Sequence, residues 1–408
     1  MDRTVAPPRL VTAPFVLVTA AAFAYFTAIG ATLPTLPAYV DEELGGGGLA
    51  VGVAVGAFSV SAALLRSSLG RLGDRRGRRL LVVGGAAIVG VSIAGYHLAP
   101  NLGVLVGWRL LTGVGEAAVF IGAATAVQDL APSARRGEAA SYFSIAIYGG
   151  LAIGPPAGEA LQRLGGFSAV WWAAAGACLV AAVLGWWTPV GVGPATARAD
   201  GAAPDTVRPA IFHRDALGPG MVLGLAMFGF AGFAAFLPLH VDAAGLDDSG
   251  GVFLAYGATV LIIRILGARL PDRLGAVPSS TAALAAIAAG MVVLAAFTTP
   301  AGVYAGAVVF AVGMALLYPA LFTLVMAAVD DRERSHAVGT FTLFFDLAQG
   351  AGALLLGGVV ALTDERGAFL GAAVCAGAGL VLLRRISMGD APRSTSALPP
   401  PRPLRRSG

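Results

Sequence analysis

A long apolar run between residues 103 and 128 contains two ionisable side chains, Arg109 and Glu116. They are seven residues apart, so in a helix they lie on one stripe, about 10.5 Å apart along the axis, which is too far for a direct ion pair. An ionised group in the middle of a membrane-spanning helix costs at least about 2.5–3.5 kcal/mol, so it should face water or a partner. Glu116 is therefore a candidate proton carrier with Arg109 as its neighbouring charge. A structural hydrogen bond to another helix would satisfy the same requirement.

A second apolar run, residues 337 to 362, holds Asp346 and Gln349 on one helical face. Asp346 lies about two and a half turns from the start of this run. The pair is a candidate for substrate contact or for a second protonation site, and a gate at the cytoplasmic side is an equally good interpretation. Aromatic side chains elsewhere could line a substrate cavity or serve ordinary packing. The cavity candidates, besides Gln349, are Tyr25, Phe120 and Phe228.

The residue patterns of common enzymes and cofactor sites do not occur in the sequence. All 27 basic residues are arginine, so no Gly-x-x-x-x-Gly-Lys phosphate loop exists. Neither a His-Glu-x-x-His zinc motif nor a Gly-x-Ser-x-Gly elbow is found. Cys178 and Cys375 each lie in an apolar run and are expected to be buried free thiols. From these missing motifs we expect no catalytic residue, no metal and no cofactor. We also expect no nucleic-acid partner, since the arginines form no continuous basic face.

The composition places the chain in a lipid bilayer. Hydrophobic residues make up 57% of it and charged residues 12%, whereas soluble chains carry about 25% charged residues. Twelve apolar runs approach the length of about 20 residues that crosses about 30 Å of hydrocarbon. Backbone amides in lipid must bond within their own segment, so each run is predicted to be a helix. The approximate limits are 12–38, 50–69, 80–98, 103–128, 138–161, 168–188, 217–240, 251–268, 279–298, 302–328, 337–362 and 367–386.

The placement of arginine predicts the orientation in the membrane. All arginines except Arg109, Arg163 and Arg366 fall at or near one side of the twelve spans, and acidic residues dominate the opposite loops. The positive-inside rule then places both termini in the cytoplasm. The first run lacks a cleavage site and is expected to be a retained helix. Composition predicts a flexible cytoplasmic linker at 189–216 and a disordered cytoplasmic tail at 387–408.

The sequence repeats itself after 198 residues, so that Arg66 falls on Arg264. Further matches are Arg71 with Arg269, Asp74 with Asp272, Gly77 with Gly275, Arg136 with Arg334, Phe143 with Phe341 and Gly154 with Gly352. One offset across several helices indicates six helices duplicated as six, residues 1–188 and 217–386. Two such halves form a cavity at their interface, and rocking exposes it to alternate sides. Arg66 and Arg264 lie near inner helix ends, where snorkelling is the favoured interpretation.

The loop after the second span reads Gly-Arg-Leu-Gly-Asp-Arg-Arg-Gly-Arg-Arg from residue 70 to residue 79. Its glycines permit a tight reversal, and its arginines suit the anionic inner leaflet. The loop resembles the signature Gly-x-x-x-Asp-Arg-x-Gly-Arg-Arg of the major facilitator superfamily, and with the repeat this resemblance covers nearly the whole chain. In that family the loop latches the halves in the outward-facing state. In this chain a degenerate second copy of the loop lies at 267–275. The resemblance implies a conformational latch formed by Gly70, Asp74, Arg75, Gly77 and Arg78.

Two further patterns resemble that superfamily. Arg109, Gly113 and Gly115 match the fourth-helix pattern Arg-x-x-x-Gly-x-Gly, which is associated with proton-coupled members. Residues 150–159 resemble the fifth-helix signature Gly-x-x-x-Gly-Pro-x-x-Gly-Gly of drug and proton antiporters, except that Glu159 replaces the last glycine. Glycines every four residues also make a smooth packing groove for a neighbouring helix, which is an alternative reason for the pattern. The matching residues of the fifth helix are Gly150, Gly154, Pro155 and Gly158.

The expected fold is all-α, an integral membrane protein with twelve transmembrane helices in two pseudo-symmetric six-helix halves. The resemblance implies a secondary active transporter in the cytoplasmic membrane that exports a small amphipathic drug or metabolite by proton antiport. The alternative is a proton-coupled symporter that imports a small organic nutrient. Expected partners are the small-molecule substrate, protons and membrane lipids, with the chain as a monomer. A membrane enzyme or sensor is disfavoured because the sequence supplies neither a catalytic constellation nor a sizeable soluble domain.

Overall fold

The computed structural model of the chain is all-helical over the residues it describes, 10–132, 135–188, 212–267, 273–329 and 333–389. We number the helices α1 to α12, and α5 and α6 are the two arms of one kinked segment. Their bounds are α1 Ala13–Glu42, α2 Gly48–Arg76, α3 Arg78–Tyr96, α4 Leu102–Leu130, α5 and α6 together Arg136–Trp186, α7 Arg214–His240, α8 Gly250–Leu266, α9 Ala276–Ala296, α10 Pro300–Ala328, α11 Arg334–Leu362 and α12 Glu365–Gly389.

The kink between α5 and α6 lies at two glycines. Gly165 has φ −151° and ψ 20°, and Gly166 has φ 67° and ψ −170°, a conformation that glycine adopts without steric cost. The arms are residues 136–164 and 167–186. Ten helical segments of the described chain have the length and hydropathy to cross a membrane, and this 51-residue segment is one of them. Counting its two arms and the 17-residue apolar helix α8 gives the twelve predicted crossings.

The two ends of the bundle differ in charge. We call the end with the loop between α2 and α3 the arginine end, and the end with the loop between α1 and α2 the acidic end. At the arginine end Gly77 links α2 to α3 with φ 90° and ψ 155°, and Gly275 precedes α9 with φ 87° and ψ 153°. Only glycine takes this backbone conformation readily. The sequence repeat therefore reproduces the same turn in both halves.

Several predicted connecting segments fall outside the described residues. Most of the predicted linker, residues 189–211, is outside them, and α7 begins at Arg214 within the remainder. Residues 268–272 of the second loop copy and residues 390–408 of the predicted tail are also outside them, while α12 continues to Gly389.

The glycine pattern of α5 packs directly on α1. A Cβ atom added to Gly154 would lie 2.6 Å from the Cα atom of Gly30 and 2.6 Å from the carbonyl oxygen of Thr27. Gly150 and Gly158 face α1 backbone in the same way, one turn before and one turn after. Small residues let two helix backbones approach closely, which maximises dispersion contact where no hydrophobic effect operates between helices. The predicted packing groove exists, and α1 fills it within the first six helices.

The close backbone contacts between the two halves lie from the middle of the helices towards the acidic end. Helix α2 packs on α11 through backbone approaches of Gly52 to Gly357 and of Gly56 to Gly350, and α5 packs on α8 where Gly257 meets Ala152. The same faces continue to the acidic end through Gly48, which meets Val360 of α11. Within the described residues, α4 and α10 do not pack on each other. The halves are therefore closed against each other at the acidic end.

Glu159 completes this closure with a carboxylate from the first half on a helix of the second half. It accepts hydrogen bonds from the Ser249 amide at 2.8 Å, the Ser249 hydroxyl at 2.6 Å and the Gly250 amide. These donors are the N-terminus of α8, where the helix dipole favours a negative charge. Arg163 and Asp248 form an ion pair beside it. The residue that departs from the fifth-helix signature thus joins the two halves.

We expect Gly154→Leu to destabilise the protein by about 1–3 kcal/mol or more, because the added side chain would separate α5 from α1. The measurement is the unfolding temperature of purified protein in detergent. Gly176→Leu is the matched control, since open space surrounds Gly176. Equal unfolding temperatures for the two variants would contradict the close packing of α1 on α5.

Replacing Glu159 by alanine should shift the protein towards states opened at the acidic end, because the N-terminus of α8 loses its carboxylate cap. Spin labels at Glu43 and Ala243, which are exposed at this end on opposite halves, report the distance by double electron–electron resonance. Glu159→Ala should add a longer-distance population, and Glu159→Gln should add less of it because an amide oxygen still accepts hydrogen bonds. A distance distribution unchanged by both substitutions would show that the cap does not hold the closed state.

Candidate functional site

An ion pair joins the two halves near the centre of the bundle. Arg66 of α2 donates from Nη2 to Asp346 Oδ1 of α11 at 2.7 Å, and its Nε lies 2.7 Å from Asp346 Oδ2 without its N–H pointing at that oxygen. The Asp346 side chain is 7% exposed and that of Arg66 is 28% exposed. The low dielectric around the pair strengthens their attraction. Asp346 is thus brought to the site by α11, while Arg66 was not among the predicted site residues.

The repeat places a second arginine in the mirrored position, with a different partner. Arg264 of α8 lies over the ring of Tyr148 of α5, with 4.4 Å between its guanidinium carbon and the ring centroid. Since Tyr148 is the mirror position of Asp346, the two contacts are equivalent by pseudo-symmetry. A cation–π contact contributes about 0.5–2 kcal/mol. Both arginines therefore contact the opposite half instead of snorkelling as predicted. Their mirrored positions in the repeat were the feature of the sequence that could have identified them as a pair.

Glu116 occupies the middle of α4, fourteen residues from either end. Its side chain is half-buried, and no hydrogen bond to its carboxylate is present among the described residues. Its charged neighbours include Arg109, Asp346 and Arg66. No direct ion pair with Arg109 forms, as the seven-residue spacing predicts. The carboxylate is therefore held in a field of neighbouring charges without a fixed partner.

Arg109 is a brace between three helices. Its Nε donates to the Ala54 carbonyl at 2.9 Å, its Nη2 to the Val55 carbonyl at 3.0 Å and its Nη1 to the Tyr96 hydroxyl at 3.2 Å. The carbonyls belong to α2 and the hydroxyl to α3. Gly113, one turn along α4, touches the backbone of α2, where a Cβ atom would overlap the Phe58 carbonyl. These contacts give a packing reason for the Arg-x-x-x-Gly spacing, and they fix the position of α2, which carries Arg66.

The predicted cavity residues fall into different environments. Phe120 lies one turn from Glu116 and is 36% exposed, with the Arg66 guanidinium 5.6 Å from its ring centroid. Phe228 and Gln349 are half-buried. Tyr25 is fully buried, and its hydroxyl has no hydrogen-bond partner among the described residues. Arg66 thus contacts both Phe120 and Asp346, and Tyr25 is packed in the interior.

The predicted latch residues form a charge network inside the first half. Arg78 is buried and donates from Nη1 to Asp74 Oδ1 at 2.6 Å, and its Nε lies 3.4 Å from Asp129 Oδ2 at the end of α4. Arg75 is exposed and Gly70 half-buried. Among the described residues this network makes no hydrogen bond to the second half. The latch between halves stays a prediction.

The histidines, cysteines and carboxylates of the described chain form no group of three or more that could hold a metal ion. The chemistry that the central residues can perform is proton uptake and release at Glu116 and ion pairing across the interface. Asp346 comes from the second half, so the ion pair and the charges near Glu116 both depend on how the two halves pack together.

We expect Asp346→Asn to lower stability by about 1.5–3 kcal/mol, because the Arg66 guanidinium would lose its charged acceptor. The Arg66→Gln, Asp346→Asn double variant should recover part of this loss, since both charges are then removed. Unfolding temperatures of the two single variants and the double variant form a double-mutant cycle. Additive effects would show that the pair carries no coupling free energy.

Comparison with known proteins agrees with the geometry. The family model described as Major Facilitator Superfamily matches residues 18–353. An uncharacterized MFS-type transporter of Salmonella typhimurium is 31% identical over 381 residues, covering 90% of this chain and 95% of that protein. The uncharacterized MFS-type transporter YhhS of Escherichia coli K12 is 27% identical and covers 89% of this chain and 90% of the relative.

Solved structures show the same fold at lower identity. The nucleoside transporter NupG superposes with a TM-score of 0.72 at 13% identity, covering 93% of this chain and 100% of that one. The human organic anion transporter MFSD10 gives a TM-score of 0.66 at 18% identity, with 92% and 100% covered. The duplicated helices, the matched family model and the similar relatives lead to one conclusion. The chain belongs to the Major Facilitator Superfamily and is a multi-pass membrane transporter of a small molecule, not an enzyme.

Proposed function

We propose that this transporter exports a small amphipathic drug or metabolite in exchange for protons. The observation that carries the proposal is Glu116, a carboxylate at mid-depth that is partly open and has no hydrogen-bond partner among the described residues. Such a group can take up and release a proton without breaking another contact. Each of the neighbouring charges Arg109, Arg66 and Asp346 has a partner of its own.

The charges around Glu116 favour a proton cycle. With Glu116 ionised, its negative charge and that of Asp346 balance the positive charges of Arg109 and Arg66. Protonation of Glu116 leaves the cluster with one surplus positive charge. In a low dielectric this surplus is costly, so the two protonation states should favour different arrangements of the halves. The proton would then bias the conformational equilibrium.

The closed acidic end gives the starting state of the proposed cycle. Under the positive-inside rule the acidic end faces outwards and both termini face the cytoplasm, so the structure is closed to the outside. In this state Glu116 is deprotonated and substrate enters from the cytoplasm. The halves then rock, Glu159 releases α8, substrate leaves, and an external proton neutralises Glu116 for the return. The resemblance to the fifth-helix signature supports export, and the bacterial relatives support a location in the cytoplasmic membrane. We propose a monomer as the transporting unit.

The test uses purified protein in proteoliposomes with fluorescent cationic and anionic dyes as trial substrates. An imposed pH gradient should drive dye flux, and Glu116→Gln should abolish the coupling because an amide carries no titratable proton. Dye exchange without a gradient should persist in this variant. Asp346→Asn serves as the second variant, which reports whether the other carboxylate contributes.

Undiminished gradient-driven flux in Glu116→Gln would remove Glu116 from the mechanism. The sign of the flux separates the two modes of coupling. Antiport predicts that dye moves against the direction of proton flow, and intact cells should contain less dye when energised. Accumulation in energised cells would instead indicate a proton-coupled symporter that imports its solute.

A further inference from the structure

The two mirrored arginines at the interface are neutralised unequally. Arg66 has the carboxylate of Asp346, whereas Arg264 has no salt bridge or hydrogen bond to any described residue and rests on the face of Tyr148. Its Nε is buried and without a partner. The ring face supplies attraction but no hydrogen-bond acceptor. The guanidinium in the last turn of α8 therefore has no hydrogen-bond acceptor among the described residues.

Two further tyrosines neighbour this guanidinium. Tyr256 lies two turns before Arg264 on α8, and Tyr318 lies on α10. None of the three hydroxyls makes a hydrogen bond to a described residue. We call Tyr148, Tyr256, Arg264 and Tyr318 the arginine–tyrosine cluster.

The chemistry of this cluster matches an anionic head group. A guanidinium donates two parallel hydrogen bonds to a carboxylate, and a phenol can add one more to the same oxygens. Arginine suits such a site because it stays charged and binds planar anions in a fixed geometry. No acidic side chain of the described residues competes for Arg264. The open donors thus select a negative ligand over a positive one.

Aromatic rings pack behind the cluster. Tyr256 stacks on Phe310 with 5.4 Å between centroids, and its ring also lies 5.0 Å from that of Phe233; Phe310 and Phe233 are fully buried. Tyr318 stacks on Phe322 at 6.0 Å, and both of these rings are half-buried. A ligand with one anionic end and one aromatic or aliphatic body would meet the donors at its charged end and the partly exposed rings of Tyr318 and Phe322 at the other.

The cluster and the proposed proton site use different side chains. Glu116 belongs to α4, whereas Arg264 belongs to α8 and rests on Tyr148 of α5. An anion bound at Arg264 and a proton bound at Glu116 would therefore occupy different groups. Coupling between the two would pass through the rocking of the halves.

We propose that the arginine–tyrosine cluster binds the anionic group of the transported compound, so that the substrates are amphipathic organic anions. This inference rests on the proposed transport function and names its substrate class.

The experiment measures equilibrium binding to the full chain in nanodiscs with a matched pair of probes. 1-Naphthoate carries the anionic group, and 1-naphthamide is its neutral counterpart of nearly the same shape. The native protein should bind the naphthoate at least about 10-fold more tightly than the amide, the factor expected for one charged hydrogen-bonded contact. Arg264→Gln should remove this difference by weakening only naphthoate binding. Arg71→Gln, at an exposed arginine of α2, is the control and should bind as the native protein does.

The unfolding temperature without ligand provides an independent readout. An arginine kept for a ligand should be replaceable, so Arg264→Gln should leave the unfolding temperature unchanged or raise it, whereas Arg66→Gln should lower it. Equal binding of both probes by the native protein, no binding of either, unchanged selectivity in Arg264→Gln, or a fall in its stability matching that of Arg66→Gln would each overturn the proposal. Because binding needs no gradient, these outcomes are independent of whether Glu116 couples transport to protons.

Discussion

A charge inside a bilayer must be compensated, and this requirement organises the interior of the protein. Lipid offers no hydrogen bonds, so each buried ionised group needs a partner from the protein, from trapped water or from a ligand. Arg109 meets it through two carbonyls of α2 and a hydroxyl of α3. Glu159 meets it at the N-terminus of α8, and Arg66 and Asp346 meet it with each other. Glu116 and Arg264 lack such a partner among the described residues, and they are the groups to which we assign proton and substrate.

Glycine makes the two levels of packing possible. Within the first half, α5 lies against α1 backbone through Gly150, Gly154 and Gly158. Between the halves, α2 lies on α11 through Gly52 and Gly56. The first contact joins helices of one half, and the second joins the two halves. Close backbone approach therefore occurs both within a half and between the halves.

The duplicated halves form a symmetric framework whose centre is asymmetric. Both halves keep the glycine turn at Gly77 and Gly275 and an arginine at the corresponding place in α2 and α8. The partners of these arginines differ, since Asp346 faces one and Tyr148 the other. As a result, Arg66 has a carboxylate partner, whereas Arg264 has none among the described residues. Different tasks can thus be assigned to two halves with the same fold.

The sequence by itself determined the membrane location, the twelve helices and their duplication, because hydropathy, run length and a constant offset are properties of the linear chain. It also predicted Glu116 as an isolated mid-depth carboxylate, since depth follows from position within one helix. Only the tertiary structure decided that Arg66 binds Asp346, that Arg264 rests on Tyr148 and that Glu159 caps α8. Each of these contacts joins helices from different halves, and their geometry depends on how two rigid bodies meet, which no local spacing in the chain encodes.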